Sequence, residues 1–200
     1  MINRVYNFSA GPAMLPTSVM QKIQEEFLDY QGMGASIVEV SHRLPIFRDI
    51  LDSTESLFRE LTNLPKNYRI LFMHGGAQMQ FSAVPLNLMY RKKQKGSYFI
   101  TGRWGILAEQ EAQRYGNTEI IMDTKEFDYR QIPEYDESKL DQGSSYAHLT
   151  TNNTLYGTRW HSFPDTSSVP LAADATSDIL SREMDYSQFG VVYAGVQKKL

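Results

Sequence analysis

Val191-Val192-Tyr193-Ala194-Gly195 runs without polar alternation straight into Val196-Gln197-Lys198-Lys199-Leu200. A short apolar run rich in β-branched and aromatic residues, closed by glycine, reads as a strand buried on both faces. Upstream, Pro170-Leu171-Ala172-Ala173-Asp174-Ala175-Thr176-Ser177 is a second strand of the same kind, and it ends on a carboxylate. Strands with no polar face need cover on both sides, and a parallel sheet wrapped by helices supplies it.

Working outward, Arg69-Ile70-Leu71-Phe72-Met73, Ser97 to Thr101, Thr118 to Met122, Tyr146 to Thr150 and Arg159 to Phe163 read as further short strands. Between them, Met79 to Tyr90 and a stretch from Gly102-Arg103-Trp104-Gly105 to about Tyr115 carry helical patterns. The alternation predicts an α/β fold with a mostly parallel sheet. Residues 1–15 read as an extended, Gly/Pro-punctuated arm, and 16–66 as a helical segment. There Thr17 or Ser18 is expected to cap a helix that Gly32 and Gly34 end, and Pro45 to open a second. Residues 67–200 form the sheet-bearing domain. In such sheets ligands gather where strands end, which singles out His74–Gln78, Gly102–Trp104, Thr151–Thr154, Asp174 and Lys198.

Composition narrows the chemistry. Apolar residues at 42% and charged ones at 22% suit a packed globular chain and not a disordered one. A net charge of −3 provides no basic face for nucleic acid. The one dense cationic run, Arg91-Lys92-Lys93-Gln94-Lys95, reads as a solvated helix end. With no cysteine there are no disulfides, iron–sulfur clusters or thiolate zinc sites. His42, His74, His148 and His161 lack ligand spacing, so no metal is expected. Neither a signal peptide nor a membrane-spanning run is visible, which makes the cytoplasm the default.

Each candidate has a plain rival reading. Gly75-Gly76-Ala77-Gln78, between strand and helix, can hold a phosphate on its backbone amides, or it is only a tight turn. Trp104 can stack on a planar ring or simply pack. Asp174, costly to bury unpaired, asks for a cationic partner, or it caps a helix at Thr176-Ser177-Asp178. Lys198 beside Lys199 is a nucleophile or an exposed pair. Ser41-His42-Arg43 is an anion site or a polar loop. Their co-occurrence at one sheet edge favours the chemical readings. A lysine that holds an aldehyde and an acid that keeps a pyridine nitrogen protonated are what pyridoxal 5'-phosphate chemistry needs.

The chain resembles the phosphoserine aminotransferases, fold-type I pyridoxal-phosphate enzymes of class V. The resemblance is carried by Asn7-Phe8-Ser9-Ala10-Gly11-Pro12, Glu39-Val40-Ser41-His42-Arg43, Met73-His74-Gly75-Gly76-Ala77, Thr101-Gly102-Arg103-Trp104, Asn153-Thr154, Ala173-Asp174 and Tyr193-Ala194-Gly195-Val196-Gln197-Lys198. It implies Lys198 as the Schiff-base lysine and proton shuttle, Asp174 as partner of the ring nitrogen, and Trp104 as the stacking residue. It further implies Thr154 near the ring hydroxyl, and Ala77, Gln78 and Gln197 at the cofactor phosphate. His42 and Arg43 would bind substrate anions in the neighbouring subunit of a homodimer. The implied reaction moves the amino group of L-glutamate to 3-phosphohydroxypyruvate, giving O-phospho-L-serine and 2-oxoglutarate in serine and pyridoxal phosphate biosynthesis.

The family's pattern is departed from in three places. Gln78 stands where some members carry an arginine for the substrate phosphate, and Lys199 where asparagine is common. Members are also nearly twice as long, so residues 67–200 are expected to be part of the cofactor-binding large domain, without the C-terminal small domain. The chain then reads as a fragment of that enzyme. The alternatives are a catalytically silent cofactor-binding or structural piece, and another fold-type I transaminase such as an alanine–glyoxylate enzyme.

Overall fold

The computed structural model describes residues 4–89 and 95–198. Tyr90, most of the basic run (91–94) and Lys199 lie outside the described residues. The chain divides into two compact units, Met1–Ile70 and Leu71–Leu200.

The first unit is helical. Helix α1 spans Thr17–Glu26 and helix α2 spans Pro45–Thr62. The expected side-chain cap of α1 is not made: Pro16 occupies the N-cap, and Thr17 Oγ1 instead accepts from Arg4 Nη1 at 2.9 Å. The helix also ends at Glu26, well before the glycines, and Tyr30–Gly32 forms a separate 3₁₀ turn. Pro45 does open α2, at the position where its missing N–H costs nothing. Asn63, left-handed at φ 49°, closes that helix. Ser36 caps the single turn Ile37–Glu39 by a reciprocal pair, in which Ser36 Oγ accepts from Val38 N and Glu39 Oε2 from Ser36 N.

The second unit is the α/β body. In chain order it contains α3 (Gly76–Leu88), β1 (Lys95–Ile100), α4 (Arg103–Ala112) and β2 (Asn117–Asp123). Next come β3 (Tyr146–Thr150), the two-residue strands β4 (Asn152–Asn153) and β5 (Thr158–Arg159), then β6 (Leu171–Asp174) and β7 (Val191–Tyr193). Five strands form one sheet in the order β2-β1-β3-β6-β7, and every neighbouring pair is parallel. Strands β4 and β5 make a small antiparallel ribbon. Two expected strands are absent. Ile70–Met73 pairs with no strand among the described residues, leaving Leu71 and Phe72 exposed. Of Arg159–Phe163, only Arg159 is in a strand.

Period-two alternation sorts the sheet into two faces. Tyr98, Ile100, Tyr146, Ala172 and Tyr193 face α3 and α4, where Phe81, Val84 and Ala108 close over them. Phe99, Ala147, Leu149, Leu171 and Ala173 face the other way and are covered by Leu140, Trp160 and Phe189 from the connecting segments. Phe99 is held edge-on by Tyr135 and Trp160, at centroid separations of 4.7 and 5.5 Å. On the α3–α4 side, Tyr98 and Tyr146 join hydroxyls, and His148 Nε2 lies 2.8 Å from Tyr193 Oη. Burial holds His148 neutral, with its pKa lowered to about 3. Among the described residues no helix is long and apolar enough to cross a membrane.

Candidate functional site

Register decides which side chains meet at the carboxyl edge of the sheet. Thr150 pairs with Asp174, and Asp174 pairs with Tyr193, so the ends of β3, β6 and β7 lie level. Because Tyr193 faces α3 and α4, its register partners Asp174 and Thr150 present the same face. There they border a cavity of about 310 Å³ formed by the second unit alone. Ala77, Gln78, Trp104, Thr154, Asp174, Gln197 and Lys198 all line it. His42 and Arg43 belong to the first unit, exposed in the turn ahead of α2, where Arg43 N donates to Ser41 Oγ at 3.3 Å.

One wall is the start of α3. Gly75 and Gly76 both take positive φ, 99° and 65°, to turn the chain into the helix. A Cβ on Gly75 would also meet Met79 Cβ at 3.0 Å. Gly75 is the N-cap and contributes no side chain, so none satisfies the free amides of the first turn. Gly76, Ala77 and Gln78 thus line the cavity with backbone donors at the positive end of a 13-residue helix, a place suited to an anion.

Trp104 stands in the first turn of α4, half-buried, bordering the cavity while packing on the apolar cluster of the α3–α4 face. The stacking and packing readings are therefore compatible. Its helix starts at Gly102, where a Cβ would lie 2.5 Å from Asn153 Oδ1. A larger residue there would have to displace the Asn153 amide, where α4 meets the β4 ribbon. Asn153 Nδ2 in turn donates to Thr101 Oγ1 at 3.0 Å, tying β1's exit to the strand ahead of Thr154.

The opposite wall carries the ionisable pair. Asp174 is 5% exposed, and Thr176 donates to its Oδ1 twice, from N at 3.0 Å and from Oγ1 at 2.6 Å. No helix begins at Thr176; the acid closes an Asx turn, so the capping reading holds only in that local form. Burial pushes the Asp174 carboxyl up from its ordinary value, opposed by the two Thr176 hydrogen bonds and the Lys198 charge. Among the described residues nothing donates to Oδ2. Lys198 lies in the 3₁₀ turn Val196–Lys198 that follows β7, with Nζ donating to Thr154 Oγ1 at 3.3 Å. Thr150 Oγ1 is buried at the cavity without a hydrogen-bond partner among the described residues.

Sequence reasoning gave no site role to Thr150, Thr176 or Ser177, and named Asn152 only within the Thr151–Thr154 stretch; all four line the cavity. Asn152 Nδ2 donates to Ser177 Oγ at 2.8 Å, and Ser177 Oγ donates to Asn152 O at 3.0 Å, a reciprocal clamp between two strand exits. The Asp-x-Thr spacing was the available signal for Thr176, since an aspartate often accepts from the residue two positions on.

The cavity thus pairs an uncapped helix N-terminus with a buried acid and an amine held by a threonine. The family model for aminotransferase class-V matches residues 5–200. Over 200 residues the chain is 46% identical to a phosphoserine aminotransferase of Bacillus anthracis, covering all of this chain and 55% of that protein. The solved phosphoserine aminotransferase of Bacillus circulans subsp. alkalophilus superposes with a TM-score of 0.92 at 41% identity, over 98% of this chain and 54% of that one. That of Trichomonas vaginalis superposes at 0.87 with 29% identity, covering 98% and 55%. The chain spans about half the length of the relatives it matches. It belongs to the aminotransferase class-V family.

Proposed function

We propose that this cavity binds pyridoxal 5'-phosphate in a phosphoserine aminotransferase, a cytoplasmic homodimer moving the amino group of L-glutamate to 3-phosphohydroxypyruvate. The carrying observation is that Lys198, Asp174 and the uncapped start of α3 border one cavity. The relatives' names support the substrate assignment.

The residues fit the cofactor part by part. The free amides of Gly76, Ala77 and Gln78 suit its phosphate, with the Gln197 side chain beside them. Trp104 provides an aromatic face for the ring and shields it from water. Asp174, buried and with Oδ2 undonated, holds a proton on the ring nitrogen. The bound group supplies an electron sink that acidifies the α-carbon of the amino acid. Lys198 would hold it covalently through Nζ and, once the amine of the incoming amino acid has displaced Nζ, would serve as the free amine that carries the proton away from the α-carbon. Thr154 Oγ1, 3.3 Å from Nζ, orients the amine. His42 and Arg43 carry imidazole and guanidinium groups suited to the substrate's anions.

The test is borohydride reduction of the protein with pyridoxal phosphate, followed by peptide mapping. The expected result is a pyridoxyl group fixed on Lys198 and, in the enzyme of which this chain reads as a fragment, transfer from glutamate to 3-phosphohydroxypyruvate faster than from alanine to glyoxylate. Reduction onto other lysines with Lys198 unmodified would overturn the cofactor site. Preference for alanine and glyoxylate would overturn the substrate assignment alone.

A further inference from the structure

We infer that Thr176 is a positioning residue of this site: its hydroxyl locks the Asp174 carboxylate to the turn that carries Lys198. The directions of the hydrogen bonds make the case. A threonine hydroxyl has one proton to give. Asp174 Oδ1, an acceptor, takes it at 2.6 Å. Thr176 Oγ1 in turn accepts the Gly195 N–H at 3.1 Å, and a backbone amide can only donate. The result is a one-way chain from Gly195 N–H through Thr176 Oγ1 to Asp174 Oδ1, and each bond polarises the next.

The chain bridges two strand exits. Asp174 ends β6, while Gly195 is buried in the link between β7 and the turn holding Lys198. Strand pairing already sets Asp174 beside Tyr193, and Ala175 N donates to Tyr193 O at 2.9 Å. Those backbone bonds fix the strands but leave the carboxylate free to rotate about its side-chain bonds. The two Thr176 donors both fall on Oδ1, which fixes the carboxylate plane and leaves Oδ2 for a partner in the cavity. The backbone donor persists in any substitution at 176 other than proline. The hydroxyl alone joins the acid to Gly195.

This inference rests on the reading of Asp174 as partner of the cofactor's ring nitrogen. Its test uses Thr176→Val, which keeps the shape and loses the hydroxyl, Thr176→Ser, which keeps the hydroxyl, and Asp174→Asn. In the cofactor-free protein the Asp174 carboxyl is titrated by its ¹³C shift. Thr176→Val should move its pKa upward, because a buried carboxylate has lost a donor, and Thr176→Ser should leave it in place. Pyridoxal phosphate affinity, read by fluorescence titration, should fall roughly tenfold in Thr176→Val and be restored in Thr176→Ser. An unmoved Asp174 titration in Thr176→Val would overturn the positioning role, as would full affinity in a variant that folds. Thr176→Ala asks the same question if the valine variant does not fold. Undiminished affinity in Asp174→Asn would instead sink the reading of the acid, whatever Thr176 does.

Discussion

Asp174 is an acid whose ionisation the cofactor-free protein disfavours. Burial raises its folded pKa above the unfolded value, so across that window the native state keeps a proton that the unfolded chain has lost. Stability therefore falls as pH rises through the folded pKa, and above that pKa the ionised acid is a net cost. Asp174→Asn removes the charge and keeps an oxygen for the Thr176 donors. It should raise the melting temperature of the cofactor-free protein at pH values above the folded pKa of Asp174 and flatten the pH dependence. It should also abolish most of the further rise that pyridoxal phosphate gives the unaltered protein. Calorimetry with and without cofactor reads both effects. A lower melting temperature in cofactor-free Asp174→Asn would show that the charge is already well paired. Asp174 and Lys198 were legible in the sequence because chemistry-bearing residues at the ends of apolar runs have few structural reasons to be there. Thr176 was not, since its role lies in a hydrogen bond to Gly195, nineteen residues away, that only the folded sheet creates.

At the scale of elements, the start of α3 carries a strained turn at the proposed phosphate site. Nothing lies within 4 Å of a Cβ built on Gly76, so Gly76→Ala tests backbone conformation without a clash. Holding alanine at φ 65° costs about 1–2 kcal/mol, and relaxing that strain would tilt the first-turn amides away from the cavity. The expected outcome is weaker binding of pyridoxal phosphate with little change for pyridoxal, which lacks the phosphate. Equal losses for both ligands would move the phosphate elsewhere. Strands β1, β3, β6 and β7 were legible because each is a short apolar run with buried neighbours on both faces. Ile70–Met73 has the same composition yet forms no strand, because no strand among the described residues offers it a ladder partner. Composition shows that a run can enter a sheet, and pairing decides whether it does. The error at α1 is of the same kind. Its apolar spacing continues through Phe27 to Tyr30, but Asp29, extended at φ −144°, has already left the helix and accepts from Gly34 N. The loop's own hydrogen bonds override the periodicity.

Across the whole molecule, burial is shared very unequally. The second unit contains both apolar clusters, whereas the described residues of the first bury only Ser36 and Thr62. Helix α2 is amphipathic, yet Leu57 and Leu61 are 55% and 69% exposed, and Phe27 just beyond α1 is 50% exposed. Helices that bury so little draw their stability from backbone bonds and a few half-exposed side-chain pairs such as Arg59–Glu55, which is marginal at such lengths. In dilute solution the amides of α1 and α2 should therefore exchange with deuterium long before those of β1, β3 and β6. Peptide-resolved hydrogen exchange measures this directly, and α2 protected as long as β3 would refute the inference from burial. Repeating the exchange at rising protein concentration separates two causes of protection. If a second copy covers these apolar faces, as the proposed homodimer requires, protection of α1 and α2 climbs with concentration while that of the sheet stays fixed. Protection independent of concentration would assign the cover to the same chain, and the homodimer would then need another surface.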